Sequence, residues 1–92
     1  MKLLAVAVAG RGLVDPSEPV FRADDEALLR GGAAFETIRV YGGKPFLLAR
    51  HLERLAHSAR ALSLPDVHEA EALAALVVDA APPDHALRLY RT

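Results

Sequence analysis

Ala33-Ala34-Phe35-Glu36-Thr37-Ile38-Arg39-Val40-Tyr41 is the stretch that decides how this chain folds. Successive side chains of an extended strand alternate, so Phe35, Thr37, Arg39 and Tyr41 share one side and Ala34, Glu36, Ile38 and Val40 the other. The second set is apolar apart from Glu36. Gly42-Gly43 supplies a tight turn into Lys44-Pro45-Phe46-Leu47-Leu48. The pair reads as a hairpin, with Pro45 confining its second arm to a sheet edge or a strand start.

On the C-terminal side of the hairpin, Leu52, Leu55, Ala56, Ala59 and Leu62 recur at helical spacing and predict an amphipathic helix over about residues 49–62. Pro65 closes the following connection. Asp66-Val67-His68-Glu69 has the spacing of a capping arrangement for a second helix, which is alanine-rich through Leu76-Val77-Val78 and stops at Pro82-Pro83. Ala86-Leu87-Arg88-Leu89-Tyr90 alternates as a closing strand. On the N-terminal side, Met1-Lys2-Leu3-Leu4-Ala5-Val6-Ala7-Val8-Ala9-Gly10 has a lysine, an apolar run and Ala-x-Ala, the parts of a secretory signal. The run is short for that role and leads into Gly10-Arg11-Gly12, so a buried first strand with Leu13-Val14 as its return is the expectation. Asp15-Pro16-Ser17-Glu18-Pro19 is a loop, Val20-Phe21-Arg22-Ala23 a short strand, and Asp24-Asp25-Glu26-Ala27-Leu28-Leu29-Arg30 a single helical turn broken by Gly31-Gly32.

Strands, two helices and a further strand predict an α+β fold: a two-layer domain, mainly one antiparallel sheet with two helices on one face. Ninety-two residues, 52% hydrophobic and 25% charged, suffice for one core and not for two. Eleven Lys and Arg against twelve Asp and Glu leave a formal charge of -1, which provides no field to attract nucleic acid or an acidic membrane. No stretch approaches the length of a membrane span. Cysteine is absent, which removes disulfides, thiolate metal sites and a cysteine nucleophile, and fits a reducing compartment.

The predicted first helix carries the candidate chemistry. At about 100° per residue, Arg54 and Ser58 lie within about 60° of His51, beside the apolar stripe. Arg54 in such a boundary strip has two readings. It can lay its stem over apolar surface and keep its head in water, or its planar fork can grip a phosphate or carboxylate. Asp24-Asp25-Glu26 reads as a solvated acidic loop, because no further ligand lies at metal-binding spacing. His57 and His68 read as surface histidines. Gly31-Gly32 and Gly42-Gly43 lack the Lys-Ser/Thr ending of a phosphate loop, and Ser58 has no nucleophile-elbow context.

Arg30-Gly31-Gly32-Ala33-Ala34-Phe35-Glu36-Thr37-Ile38-Arg39-Val40-Tyr41-Gly42-Gly43-Lys44-Pro45-Phe46-Leu47-Leu48, followed by His51-Leu52-Glu53-Arg54-Leu55 and Ser58-Ala59, resembles the N-terminal domain of the class IV (fold-type IV) pyridoxal-phosphate enzymes. These include branched-chain and D-amino-acid aminotransferases and aminodeoxychorismate lyase. The resemblance implies that in a full-length parent Arg54 grips the phosphate of pyridoxal 5'-phosphate, a cofactor expected to be absent from these 92 residues alone, and that Phe35, with Glu36 next to it in the motif, belongs to the substrate side. Gly31-Gly32-Ala33 stands where the family usually has Gly-Asp-Gly. Arg30 occupies a position where several members place an aromatic, which bears on substrate preference. Phe-Glu-Thr is closer to the lyase than the Phe-Glu-Gly of branched-chain aminotransferases.

The same resemblance implies a parent that is a cytoplasmic homodimer. Its reaction would be amino-group transfer, or elimination from aminodeoxychorismate to give 4-aminobenzoate and pyruvate, a step of folate biosynthesis. The family's Schiff-base lysine lies in a C-terminal domain, and neither Lys2 nor Lys44 matches it. Because the sequence stops on a strand, residues 1–92 are expected to be the small domain of a truncated chain, inactive alone, with no catalytic or metal-binding residue of its own. The alternative expectation is a stand-alone, non-catalytic module that dimerises or binds a small anion.

Overall fold

The computed structural model describes residues 3–66 and 69–92, apart from the side chains of Ala27 and Leu28. The elements follow the order β1 (Val6–Val8), β2 (Gly12–Val14), α1 (Glu26–Leu29), β3 (Ala34–Tyr41), β4 (Lys44–Pro45), α2 (Leu48–Ala61), α3 (Ala70–Ala80) and β5 (His85–Arg91). β1 and β2 form a two-stranded antiparallel ribbon, and β4-β3-β5 a three-stranded antiparallel sheet. The mixed α+β, two-layer expectation holds.

β3 is the centre of the larger sheet, and its alternation is complete: Ala34, Glu36, Ile38 and Val40 are buried, whereas Phe35, Thr37, Arg39 and Tyr41 are exposed. β5 pairs along its whole length, with Glu36 opposite Leu89 and Ile38 opposite Leu87. Both leucines therefore join the buried face. Leu55 and Ala59 of α2 and Ala70 and Ala74 of α3 close over the same face and complete one core cluster. Alanines at the α3 contact keep that helix close to the strands, and it packs on β1, β2 and β5.

The turn after β3 has positive φ at both Gly42 (57°) and Gly43 (75°), the backbone twist that a two-residue hairpin loop needs and that side chains disfavour. The hairpin tip is tied to the α3–β5 connection. The Gly42 N–H donates to Asp84 Oδ1 at 2.7 Å, and the Gly43 N–H donates to the Pro83 carbonyl at 2.8 Å.

Four expectations are corrected. The first strand, expected to be buried, is only half-buried at Val6, Ala7 and Val8. The second hairpin arm is two residues long, because Leu47 adopts the left-handed conformation (φ 55°) and turns the chain into α2 at Leu48. Leu62, assigned to the apolar stripe, lies beyond the last turn and is exposed, as Ser63 in the left-handed region (φ 58°) reverses the chain there. Val20-Phe21-Arg22-Ala23 is not a strand. Arg22 instead clasps Asp24, and the Asp25 N–H closes a turn onto the Arg22 carbonyl at 3.2 Å. The predicted cap over Asp66–Glu69 includes Val67 and His68, which lie outside the described residues, as does Lys2. Glu69, the residue preceding α3, makes no side-chain capping bond. Among the described residues no helix is long and apolar enough to cross a membrane.

Leu55 is 1% exposed beneath α2, and its replacement should leave a cavity that the sheet cannot fill. Leu55→Ala is expected to cost about 2–5 kcal/mol in urea unfolding, against less than about 0.5 kcal/mol for Glu53→Ala at an exposed position of the same helix.

Candidate functional site

Strand alternation forces Glu36 inward, and its residue exposure is 8% among neighbours that are otherwise apolar. A buried carboxylate needs donors. α2 crosses above β3 with Leu55 and Ala59 turned down, and this rotation brings the polar border of the helix to the carboxylate. His51 Nδ1 lies 2.8 Å from Glu36 Oε1. A carboxylate oxygen accepts, so the contact is a hydrogen bond in the tautomer of His51 that carries its proton on Nδ1. Arg54, three residues further along the same face of α2, forms an ion pair from Nε to the same Oε1 at 3.6 Å.

The rest of Arg54 faces outward, with 72% of its side chain exposed. It borders a shallow depression of about 460 Å³ that is also lined by Glu53, His57, Ser58 and Arg60. Two arginines and a histidine against one glutamate favour an anion there. The boundary position read from helical spacing thus has a charged anchor on its inner side and an open cationic rim on its outer side.

Phe35 belongs to the opposite face. Its ring lies 6.0 Å from Tyr90, its partner across the β3–β5 ladder, and Tyr90 in turn meets Phe21 edge-on at 6.0 Å. The Arg88 guanidinium stands 5.9 Å from the Phe35 ring centre, donates from Nε to Thr37 Oγ1 at 3.2 Å and from Nη1 to Tyr90 Oη at 3.3 Å. Arg39 over Tyr41, with Phe46 beside it, extends this aromatic and cationic surface toward the hairpin.

The expected site residues therefore divide. Glu36 and Arg54 come together, Phe35 stands on the other side of the sheet, and Arg30 is paired with Glu26 at 4.0 Å within α1 and the turn after it. His51 was named only as part of a polar strip, and its bond to Glu36 links residues fifteen apart. Arg88, Tyr90 and Phe21 carry no motif that marks them as site residues. The alternation of the last strand puts Arg88 and Tyr90 on one face, but sequence carries no signal for the register that sets them against Phe35. Asp24 is occupied by Arg22, which donates from Nε at 2.8 Å and from Nη2 at 3.0 Å and holds that carboxyl below the usual carboxylate range.

Comparison with known proteins gives a consistent picture. The family model for amino-transferase class IV matches residues 33–91. A curated relative, the bifunctional aminodeoxychorismate lyase / D-amino acid transaminase of Mycobacterium tuberculosis, is 43% identical over 54 residues, which is 59% of this chain and 19% of the relative. Among solved structures, the PLP-bound form of a hypothetical aminotransferase from Mycobacterium tuberculosis superposes with a TM-score of 0.77 at 34% identity, covering 94% of this chain and 32% of that one. A fold IV transaminase from Curtobacterium pusillum gives 0.69 at 33% identity, covering 94% and 34%. The chain thus spans about a third of the solved relatives it matches.

Removing the donor to the buried carboxylate tests the geometry. His51→Leu should cost about 1–3 kcal/mol in chemical unfolding at neutral pH, since Glu36 Oε1 loses its 2.8 Å partner. His57→Leu, at an exposed position of the same helix, should change stability by less than about 0.5 kcal/mol.

Proposed function

The chain belongs to the amino-transferase class IV family, and from that premise we propose that it is the N-terminal small domain of a cytoplasmic, homodimeric pyridoxal-phosphate enzyme, holding the cofactor phosphate through Arg54. One observation carries this reading: at the motif position on α2, a guanidinium is anchored on one edge by a buried carboxylate and exposed on the rest. That arrangement fits a phosphate dianion, which accepts two parallel N–H bonds from an arginine fork. The Arg60 guanidinium, the His57 ring and the Ser58 hydroxyl beside it support the reading.

When bound, pyridoxal phosphate supplies an electron sink in its protonated ring, which serves amino-group transfer and elimination alike. The residues of this chain act on its phosphate and surroundings. Arg54 neutralises and orients the phosphate, and the α2 surface beside it restricts where the anion can sit. Phe35, with Arg88 and Tyr90 around it, forms an aromatic and cationic wall for the substrate side, and Arg30 is assigned to that side by its place in the motif alone. Glu36, buried below Arg54, is assigned to the phosphate side.

For the parent reaction we favour the pair named for the curated relative, elimination from aminodeoxychorismate to 4-aminobenzoate and amino transfer on a D-amino acid. Phe35-Glu36-Thr37 supports the lyase half, and with it a place in folate biosynthesis. Lys44 is an exposed residue of the β-hairpin, remote in role from the family's Schiff-base lysine. The 92-residue chain alone is therefore proposed to be inactive.

Two measurements test the reading. Pyridoxal phosphate titrated into the chain should bind Arg54→Ala at least about tenfold more weakly than wild type, as expected for losing a charged hydrogen-bond pair. Equal affinities would remove the phosphate site. With cofactor added, the chain should form no 4-aminobenzoate from aminodeoxychorismate and no keto acid from D-alanine. Turnover by the chain alone would overturn its proposed inactivity.

A further inference from the structure

Glu36 occupies an unusual position among the described residues: a carboxylate in the core face of the central strand, 8% exposed, with the open aromatic face on the far side of the backbone. One oxygen, Oε1, accepts from His51 Nδ1 at 2.8 Å and faces Arg54 Nε at 3.6 Å. A guanidinium has two edges suited to an anion, one formed by Nε with an Nη and one by the two Nη groups. The Glu36 contact lies on the Nε side, a single ion pair at 3.6 Å, and 72% of the Arg54 side chain is exposed, which leaves the two Nη groups open to an anion.

We infer that Glu36 is a positioning residue for the anion site: anchored by His51, it fixes the Nε edge of Arg54 so that the Nη1/Nη2 edge is presented to a phosphate group. The inference rests on the reading of Arg54 as a phosphate ligand. Two effects of Glu36 on a bound anion have opposite sign. Its charge repels phosphate, so as a charge alone its removal would tighten binding. As a positioning group its removal releases a long side chain to its rotamers and weakens binding. The ordering effect dominates here. The repulsion acts across the guanidinium toward exposed surface where water and salt screen it, whereas the carboxylate that makes the contact is itself buried, with 9% of its side chain exposed.

Inorganic phosphate is the probe, titrated into wild type, Glu36→Gln and Arg54→Ala while the Arg54 side-chain Nε–H is followed by NMR and the fold is checked by amide dispersion. The expected result is affinity reduced about tenfold in Glu36→Gln, with the Arg54 Nε–H exchanging faster with water, at the lower end of the scale seen when partners that orient a metal ligand are removed. Unchanged or tighter binding in Glu36→Gln, together with a loss in Arg54→Ala, overturns the positioning role and leaves the phosphate reading standing. Equal binding by wild type and Arg54→Ala overturns the phosphate reading and the inference with it. Should Glu36→Gln fail to fold, wild type decides: the Arg54 Nε–H should stay protected from exchange at saturating phosphate, and loss of that protection on adding phosphate overturns the inference.

Discussion

The period of two in β3 is the constraint on which the rest depends. Ile38 and Val40 cannot be buried without Glu36, because all three leave the same side of one strand, and a register slip by one residue would expose the core while burying Arg39. The domain therefore has to accommodate a carboxylate in its interior. It does so from above, through α2, whose rotation is set by the same core: with Leu55 and Ala59 turned onto the sheet, His51 and Arg54 reach the carboxylate. The charged site is thus a consequence of how the helix packs, and the packing would be unsatisfied without it.

Sequence made legible what is local. β3 and the two-residue turn followed from alternation and paired glycines, and α2 from apolar residues at helical spacing, with its start displaced by one residue. The polar strip of His51, Arg54 and Ser58 was visible for the same reason, since helical geometry fixes angles within one element. Contacts between elements were not legible. The Glu36–His51 bond depends on how far α2 slides along β3, and the Phe35–Tyr90–Arg88 cluster on the register of β3 with β5. The failed strand at Val20–Ala23 has a comparable cause: four residues with suitable propensity are outcompeted by a side-chain clasp and a turn that need no partner strand.

The sheet separates two kinds of chemistry. Its helix-covered side leads to a cationic depression on α2, suited to a small dianion. Its open side carries Phe21, Phe35, Tyr41, Phe46 and Tyr90, each between 45% and 57% exposed, interleaved with Arg39 and Arg88. A ligand with an anionic handle and a flat, partly apolar body is matched by that division.

An arginine on a helix surface gains little from an anion when both are free to move, since water screens the attraction and ordering the side chain offsets it. Tying one edge of the guanidinium to a carboxylate that the core itself holds shifts that ordering to the folding of the domain, before any ligand arrives. The attraction to the handle of a ligand can then fix the orientation of its reacting end instead of ordering the protein. A lysine at position 54 would keep the charge and lose this property, because an ammonium has no second edge to hold.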